Sequence, residues 1–225
     1  MMKEAQLHQP VAISEGGATV LISFATTEGQ TRKIAERISA NLRERGYEAK
    51  LYDTAVRRGV PEVGAFDAVI VAASIHEGHH QDSAINFAIA HRDQLVRKPS
   101  AFVSVSLSAA MPNGQAEAQH YVDRFVATTG WSPAKTLLLG GALRWSECDY
   151  FQRQVLKHIL LKGDVTWGED VNYEFTDWTA LQSFMDDIFG SCVPSRVGEG
   201  AKARRKARGL EPPGTKKTSR SQAAR

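Results

Sequence analysis

Residues 19–31 read Thr19-Val-Leu-Ile-Ser-Phe-Ala-Thr-Thr-Glu-Gly-Gln-Thr31, in which an apolar segment passes directly into a polar one. Its first half, residues 19–24, is a short apolar run rich in β-branched side chains, which is typical of a strand buried on both faces. Polar turn residues follow it. From residue 30 to residue 45 apolar side chains recur every three or four positions, and Gly46 is placed to end a helix. The sequence therefore predicts a buried strand, a polar loop and an amphipathic helix.

The same alternation continues along the chain. Further strands are predicted at the apolar runs 47–52, 67–73, 101–107 and 135–139. Helices are predicted at residues 82–95, 115–129 and 177–189. Five strands that alternate with helices indicate an α/β fold with a parallel sheet.

An insertion over residues 140–175 separates the fifth strand from the last helix. Within it, residues 150–161 are predicted to be helical, with one apolar face and several basic side chains. Ligands of open parallel sheets bind beyond the carboxyl ends of the strands, and the insertion leaves from one such end. We therefore expect it to wall or cover a site. The pattern leaves open whether its helix faces the core, a substrate or a membrane.

The two ends of the chain differ from its body. Residues 1–18 have no sustained periodicity and are predicted to be a flexible extension. Residues 191–225 carry much of the basic charge, whereas the body has an acidic excess within a net charge of +3. With little apolar surface, this basic tail is predicted to be disordered. One folded domain is thus expected over residues 19–190, and its charge gives no reason to expect specific nucleic-acid binding.

The cellular location of the protein is predicted from motifs that the sequence lacks. Cys148 and Cys192 have no CxxC spacing, which indicates neither a disulfide framework nor a zinc or iron–sulfur site. The chain has no run of 18 apolar residues, and its first residues do not resemble a signal peptide. A cytoplasmic location is the expectation. The basic tail would be attracted to an anionic membrane surface, and a purely solubilising tail is the alternative.

The loop Thr26-Thr-Glu-Gly-Gln-Thr31 lies between a buried strand and a helix N-terminus. Free backbone N–H groups and the helix dipole attract a phosphate at such a position, and three threonine hydroxyls add donors. The loop has neither the lysine of a GxxxxGK[ST] loop nor a GxGxxG pattern, so a nucleoside triphosphatase and a dinucleotide-binding protein are not favoured. A monophosphate fits. The alternative is that Thr27 only caps the helix.

Spaced motifs resemble those of one family. Thr26-x-x-Gly-Gln-Thr31 is similar to the FMN-phosphate loop of flavodoxin-like proteins. Ala73-Ser-Ile-His-Glu-Gly-His-His80, with Phe87 in the next helix, and Gly140-Gly-Ala-Leu-Arg-Trp145 resemble motifs of the quinone-dependent protoporphyrinogen IX dehydrogenases. Residues 98–107 and 173–178 are similar to further family patterns. The resemblance implies a flavodoxin-like, doubly wound, five-stranded parallel sheet in the order 2-1-3-4-5, with the insertion after strand five.

The resemblance also implies a set of FMN-binding residues. It places the phosphate on Thr26, Thr27, Glu28, Gly29, Gln30 and Thr31. It places the flavin ring beside Ser74, Ile75, His76, Gly78 and His79, and a third loop at Ser106, Leu107 and Ser108. Ala142, Arg144 and Trp145 complete the set, with Trp145 in place of the aromatic residue that flavodoxins commonly stack on the ring. The third loop is less basic than the usual family pattern. The flavin would accept the hydride, so no catalytic side chain is assigned.

The implied activity is oxidation of protoporphyrinogen IX to protoporphyrin IX in heme biosynthesis, in three two-electron steps, with a membrane quinone as the electron acceptor. Arg144, Arg153 and Lys157 are predicted to pair with the propionates of the substrate. For Arg153 and Lys157, a solvated surface position is an equal alternative.

Other functions remain open at this point. A flavodoxin-type electron carrier would ordinarily not need the insertion, and an NAD(P)H:quinone reductase would need a pyridine-nucleotide fingerprint that is not recognisable here. A non-enzymatic binding module would require that the phosphate loop be vestigial. The histidines at 76, 79 and 80, with Glu77, are not expected to hold a metal. A homo-oligomer is left open.

Overall fold

The computed structural model describes residues 17–56, 59–143 and 173–190, and the structural statements below concern these residues. Five long strands form the central sheet of the fold: β1 (Thr19–Ala25), β2 (Glu48–Asp53), β3 (Ala68–His76), β5 (Ser100–Ser106) and β6 (Lys135–Gly140). Three two-residue strands accompany them: β4 (His79–His80), β7 (Ala142–Leu143) and β8 (Tyr173–Glu174). The helices are α1 (Gln30–Glu44), α2 (Asp82–Ala90), α3 (Arg92–Arg97), α4 (Gln115–Thr129) and α5 (Trp178–Phe189).

The long strands are all parallel and lie in the order β2-β1-β3-β5-β6. Counted along the chain as strands one to five, this is the predicted order 2-1-3-4-5, so the predicted fold class is confirmed. The three short strands were not predicted, and two of them, β7 and β8, form a separate two-stranded sheet. β4 pairs antiparallel with the end of β3, and β7 pairs antiparallel with β8 across residues 144–172. Two-residue strands are too short to produce a readable pattern of hydrophobicity.

Both faces of the sheet are covered, as the continuous apolar runs predict. On one face Val20, Ile22 and Phe24 of β1 pack in a cluster with side chains of α1 and α5. On the other face Leu21 belongs to a second cluster, which includes the fully buried Trp131. Alternate residues of one strand therefore serve two separate cores, and the sheet is held rigidly between two layers of helices.

The single helix predicted over residues 82–95 is wrong, because the backbone leaves the helical region at His91 (φ −112°, ψ 15°). The carbonyl of His91 accepts hydrogen bonds from the N–H groups of Gln94 and Leu95, which starts a second helix, α3. The break lets Leu95 point into the core, where it is buried. Hydrophobic periodicity is hardly altered by a break of one residue and therefore does not reveal it.

The other helix boundaries follow their local chemistry. Asp177, predicted inside the last helix, is its N-cap and accepts hydrogen bonds from the N–H groups of Thr179 and Ala180, both at 2.9 Å. Gly130 ends α4 with a φ of +65°, as predicted, and Gly46 follows the end of α1 with a φ of +89°.

Several predictions fall on residues outside the described ranges. These concern the N-terminal extension, the helix at residues 150–161, both cysteines and the basic tail. Among the described helices, none has the length and apolar character that crossing a membrane requires.

Candidate functional site

Three polar loops leave the same edge of the sheet, because they follow the carboxyl ends of adjacent parallel strands. Ala25 of β1 is in register with Ala73 of β3, and Ser74 of β3 with Val105 of β5. The first loop covers residues 26–31, the hairpin covers residues 74–80, and the third loop covers residues 106–114. The predicted ligand residues of these three segments are thus brought to the edge where open α/β sheets bind their ligands.

The first loop is a tight turn closed by a side chain. The hydroxyl oxygen of Thr26 accepts a hydrogen bond of 2.9 Å from the N–H of Gly29. Gly29 has a φ of +89°, a conformation that L side chains rarely adopt, and it directly precedes α1 as the N-cap. The alternative in which Thr27 caps this helix is therefore wrong: α1 has no side-chain cap, and Thr27 is exposed.

Hydrogen-bonding capacity is left unused where the first loop enters α1. The first N–H groups of a helix have no partner within it, and no side chain caps them here. The hydroxyl of Thr31 is fully buried and has no hydrogen-bond partner among the described residues. Leaving such a group unpaired costs about 1–3 kcal/mol, which a bound acceptor would recover. The first loop therefore fits a phosphate oxyanion.

The two nearest basic side chains of α1 are already engaged. Arg32 forms an ion pair of 2.6 Å with Asp53, and Lys33 pairs with Glu174. Hydrogen bonds from the Lys33 ammonium and from Trp178 help hold the pKa of Glu174 below its ordinary value. An anion at the first loop would thus be held mainly by backbone N–H groups and hydroxyls, which suits a single phosphate group.

The second segment is a β-hairpin and not an irregular loop. Ser74, Ile75 and His76, predicted in a loop, continue β3, and His79 pairs with His76 in β4. The two residues between them, Glu77 and Gly78, both have positive φ angles, of 51° and 79°. A two-residue turn of this kind matches the twist of the strands on either side. The hairpin therefore extends the sheet beyond its edge.

His80 fixes this hairpin to the core. Its side chain is buried, with Nε2 at 3.0 Å from the hydroxyl oxygen of Ser104 and its ring 5.1 Å from those of Phe102 and Phe125. Burial lowers the pKa of His80 to about 3, with a smaller contribution from His79, so the ring is neutral at pH 7.

The histidines that are neighbours in the sequence are separated by the pleat of β4. His80 enters the core, whereas His76 and His79 are exposed. The ring Nδ1 of His79 lies 3.2 Å from the carbonyl oxygen of Glu77. Within the described ranges, no three His, Cys, Asp or Glu side chains converge as a metal site would require.

The third loop is held by its own side chains and by α4. Ser106 accepts a hydrogen bond of 3.1 Å from the N–H of Ala109, and Ser108 donates one of 2.8 Å to Glu117. Tyr121 donates a second hydrogen bond, of 2.6 Å, to the same carboxylate. These two bonds, that of Tyr121 first, hold the pKa of Glu117 below its ordinary value. The third loop is therefore fixed by an ionised carboxylate.

The same helix also reaches the hairpin. Arg124 donates a hydrogen bond of 3.2 Å to the carbonyl oxygen of Gly78. Glu117, Tyr121 and Arg124 are spaced by four and three residues, which places them on one face of α4. A small cleft of about 230 Å³ lies between this face and the hairpin and is lined by Tyr121, Arg124 and His79. This face was not predicted from the sequence, although the spacing of its residues in the helix after the third loop is a readable signal.

The end of β6 is closely covered by the chain that returns from the insertion. A Cβ atom at Gly140 would lie 2.3 Å from the carbonyl oxygen of Phe175, so only glycine fits there. Thr176 donates a hydrogen bond of 2.8 Å to the carbonyl oxygen of Gly140 and accepts one of 2.8 Å from Gln30. The side chain of Gln30 thus contacts this return segment.

The remaining predicted ligands divide between the two sides of the insertion. Ala142 is half-buried in β7. The N–H of the preceding Gly141 donates a hydrogen bond to the carbonyl oxygen of Ser106, which places Ala142 beside the third loop. Arg144, Trp145, Arg153 and Lys157 lie outside the described residues. Their roles stay predictions.

Comparison with known proteins gives the relationships of the chain. Among solved structures, oxidised flavodoxin 1 from Bacillus cereus is similar, at 19% identity and a TM-score of 0.42, over 63% of this chain and 94% of that one. The flavodoxin-domain family model matches residues 21–164. Protoporphyrinogen IX dehydrogenase (quinone) from Escherichia coli strain K12 is 32% identical over 171 residues, which are 75% of this chain and 93% of that protein. The protein of the same name from Leishmania major is 30% identical over 195 residues, 81% of this chain and 79% of that protein. The chain therefore belongs to the flavodoxin-domain family that includes the quinone-dependent protoporphyrinogen IX dehydrogenases.

Proposed function

We propose that this protein is an FMN-dependent oxidoreductase that oxidises protoporphyrinogen IX to protoporphyrin IX in heme biosynthesis and delivers the electrons to a quinone. The observation that carries the proposal is the meeting of three polar segments at one sheet edge, in a chain related to these dehydrogenases over three quarters of its length. The unused hydrogen-bonding capacity around Thr31 supports a phosphate-bearing cofactor at that edge.

The residues present divide into groups that suit the parts of FMN. The hydroxyls of Thr26, Thr27 and Thr31, together with the backbone N–H groups of residues 30 and 31 at the start of α1, would hold the phosphate. The hairpin and the third loop would flank the ring. When bound, FMN supplies the two-electron redox chemistry, and the protein supplies orientation and electrostatics.

We expect the protein to contribute rigid support of the hairpin and the third loop. The neutral ring of His80 packs against Phe102, Phe125 and Ser104 and so fixes the hairpin to the core. The α4 face of Glu117, Tyr121 and Arg124 holds both segments from the side. Positions fixed in this way would keep a bound ring at a constant orientation to its reaction partner.

The substrate-binding part of the proposal rests on residues 144–157. Arg144, Arg153 and Lys157 would pair with the propionates, and Trp145 would pack on the ring system. A bulky apolar substrate and a membrane quinone both require a wide opening, which the insertion at residues 140–175 would shape. The basic tail at residues 191–225 would bring a cytoplasmic protein to the anionic inner membrane face, where the quinone resides.

An anaerobic reduction experiment tests this proposal. The purified protein is loaded with FMN, and the flavin absorbance is followed on addition of protoporphyrinogen IX and then of a ubiquinone or menaquinone analogue. We expect bleaching by the first reagent and recovery with the second. A flavin that NAD(P)H reduces and protoporphyrinogen IX does not would replace the proposal with a quinone reductase. A flavin that only a protein redox partner reduces would replace it with an electron carrier.

A further inference from the structure

One side chain joins the first loop to the hairpin. The amide nitrogen of Gln81 lies 2.5 Å from the hydroxyl oxygen of Ser74 and 3.2 Å from that of Thr27, and donates to both. Thr27 belongs to the first loop, and Ser74 begins the hairpin. Since the two are neighbours only through the fold, Gln81 marks the junction between these segments at the sheet edge.

The other end of the same amide is unsatisfied. The side-chain oxygen of Gln81 is buried and has no hydrogen-bond partner among the described residues. An amide oxygen accepts hydrogen bonds and cannot donate them, so any group that satisfies it must carry an O–H or N–H. The amide nitrogen faces the two hydroxyls, so the oxygen is the end of the side chain that has no partner.

The backbone at Gln81 is fixed as well. Its carbonyl oxygen accepts hydrogen bonds of 3.0 Å and 3.2 Å from the N–H groups of Ala84 and Ile85, which starts α2. Two residues on, the hydroxyl of Ser83 accepts a hydrogen bond of 2.9 Å from Thr54, at the end of β2. The free oxygen of Gln81 is therefore held in place before any ligand arrives, which is what preorganised recognition requires.

We propose that Gln81 recognises the ribityl chain of FMN. This inference rests on the proposed function, in which the first loop holds the phosphate and the hairpin flanks the ring. The ribityl chain connects those two parts of the cofactor, so it passes the junction where Gln81 lies. Its hydroxyl groups are donors of the kind that the free oxygen lacks, while the nitrogen of the amide keeps Thr27 and Ser74 together.

Three flavins separate this role from a purely structural one. FMN has the ring, the ribityl chain and the phosphate, riboflavin lacks the phosphate, and lumiflavin lacks both the chain and the phosphate. Dissociation constants are measured by flavin fluorescence for the full chain and for Gln81→Met, which has similar volume and no hydrogen-bonding amide. We expect FMN and riboflavin to bind to the variant about tenfold more weakly, by the same factor, and lumiflavin to bind within about twofold of its original affinity.

A second variant and a control keep the test interpretable. Gln81→Glu retains acceptor oxygens, to which the hydroxyls of Thr27 and Ser74 can donate, so riboflavin affinity is expected to stay within about threefold of the original value. The affinity of this variant for FMN is expected to fall by a larger factor than its affinity for riboflavin, because the new carboxylate repels the phosphate. Gln119→Met, at an exposed position of α4, controls for the change from glutamine to methionine. Thermal unfolding of each apoprotein confirms that it is folded.

Each outcome has one reading. An equal loss for FMN and riboflavin, with lumiflavin unaffected, supports the role of Gln81. A loss confined to FMN, an equal loss for all three flavins, or no loss in Gln81→Met overturns it, while FMN binding by the original protein leaves the proposed function standing. If the original protein binds none of the flavins, the proposed function fails and takes this inference with it.

Discussion

Arg124 on α4 donates a hydrogen bond of 3.2 Å to the carbonyl oxygen of Gly78, at the turn of the hairpin. The helix α4, which follows the third loop, therefore also holds the turn of the hairpin. Since Glu117 and Tyr121 of the same helix fix the third loop, the two segments that would flank a flavin ring share one support. A substitution on this face of α4 is therefore expected to alter the segments that would flank the cofactor, although the substituted side chain does not contact the cofactor.

Replacement of Arg124 by methionine tests that support. The side chain is exposed, so the free energy of unfolding should fall by less than about 1 kcal/mol. The turn at Glu77 and Gly78 should open more often, since it loses its tie to α4. Hydrogen exchange at the amides of residues 77–79 measures this and should accelerate by about tenfold. Arg37→Met, an exposed arginine on α1, is the matched control, and equal exchange rates in both variants would contradict a supporting role for Arg124.

The hydroxyl of Thr31 is predicted to serve phosphate binding at the expense of the stability of the apoprotein. Thr31→Val keeps the shape and removes a buried, unpartnered hydroxyl, so the apoprotein should be at least as stable, by up to about 1 kcal/mol. FMN should bind about tenfold more weakly, while riboflavin, which has no phosphate, should be unaffected.

Ser39 provides the matched control for Thr31. Its hydroxyl is also buried and unpartnered, but it lies two turns further along α1. Ser39→Ala should therefore leave the affinity for FMN unchanged. If Thr31→Val left FMN affinity intact, or if Ser39→Ala weakened it equally, the phosphate would have to bind elsewhere.

His80 is predicted to make the fold sensitive to acid. Its pKa is about 3 in the folded protein and about 6.5 in the unfolded chain, so below pH 6.5 the unfolded chain binds a proton that the folded protein does not. The free energy of unfolding therefore falls as the pH is lowered through that window, by at most about 1.4 kcal/mol per pH unit from this group.

Replacement of His80 by phenylalanine removes that dependence. Phenylalanine suits the aromatic surroundings of Phe102 and Phe125, although it leaves the hydroxyl of Ser104 without its partner. Denaturant unfolding at pH 5 and pH 7 should show a loss of stability that is smaller in the variant by roughly 2 kcal/mol. Above pH 7 the two stability curves should run parallel. An unchanged slope below pH 6.5 would mean that His80 is protonated in the folded protein.

The main strands were predictable because their signal is local. β1, β3 and β5 are short, mostly apolar runs between polar turns, and they are rich in β-branched side chains, a pattern typical of strands buried on both faces. The order of the strands came from the family resemblance. The helix ends at Gly46 and Gly130 were readable from single glycines, and both of these residues have a positive φ.

The supports of the site were not predictable in the same way. The contacts of Gln81 with Thr27 and of Arg124 with Gly78 join residues that are far apart in the sequence, so no periodicity records them. In the sequence His80 belongs to a group of nearby histidines, and the pleat of a two-residue strand directs its side chain into the core. The break at His91 depends on which carbonyl the next N–H groups choose. Long-range polar contacts are therefore where a sequence says least about its site.

The stoichiometry of the reaction tests the proposed function most directly. Under anaerobic conditions the FMN-loaded protein is mixed with protoporphyrinogen IX and an excess of a ubiquinone or menaquinone analogue, and both protoporphyrin IX and reduced quinone are quantified. Because the oxidation takes three two-electron steps, we predict that three molecules of quinone are reduced for each porphyrin formed. Without quinone, we predict that porphyrin forms only at the enzyme-free rate, apart from the small amount for which the bound flavin itself can accept the electrons. Porphyrin formation that is independent of the quinone, or quinone reduction without porphyrin, would contradict the account.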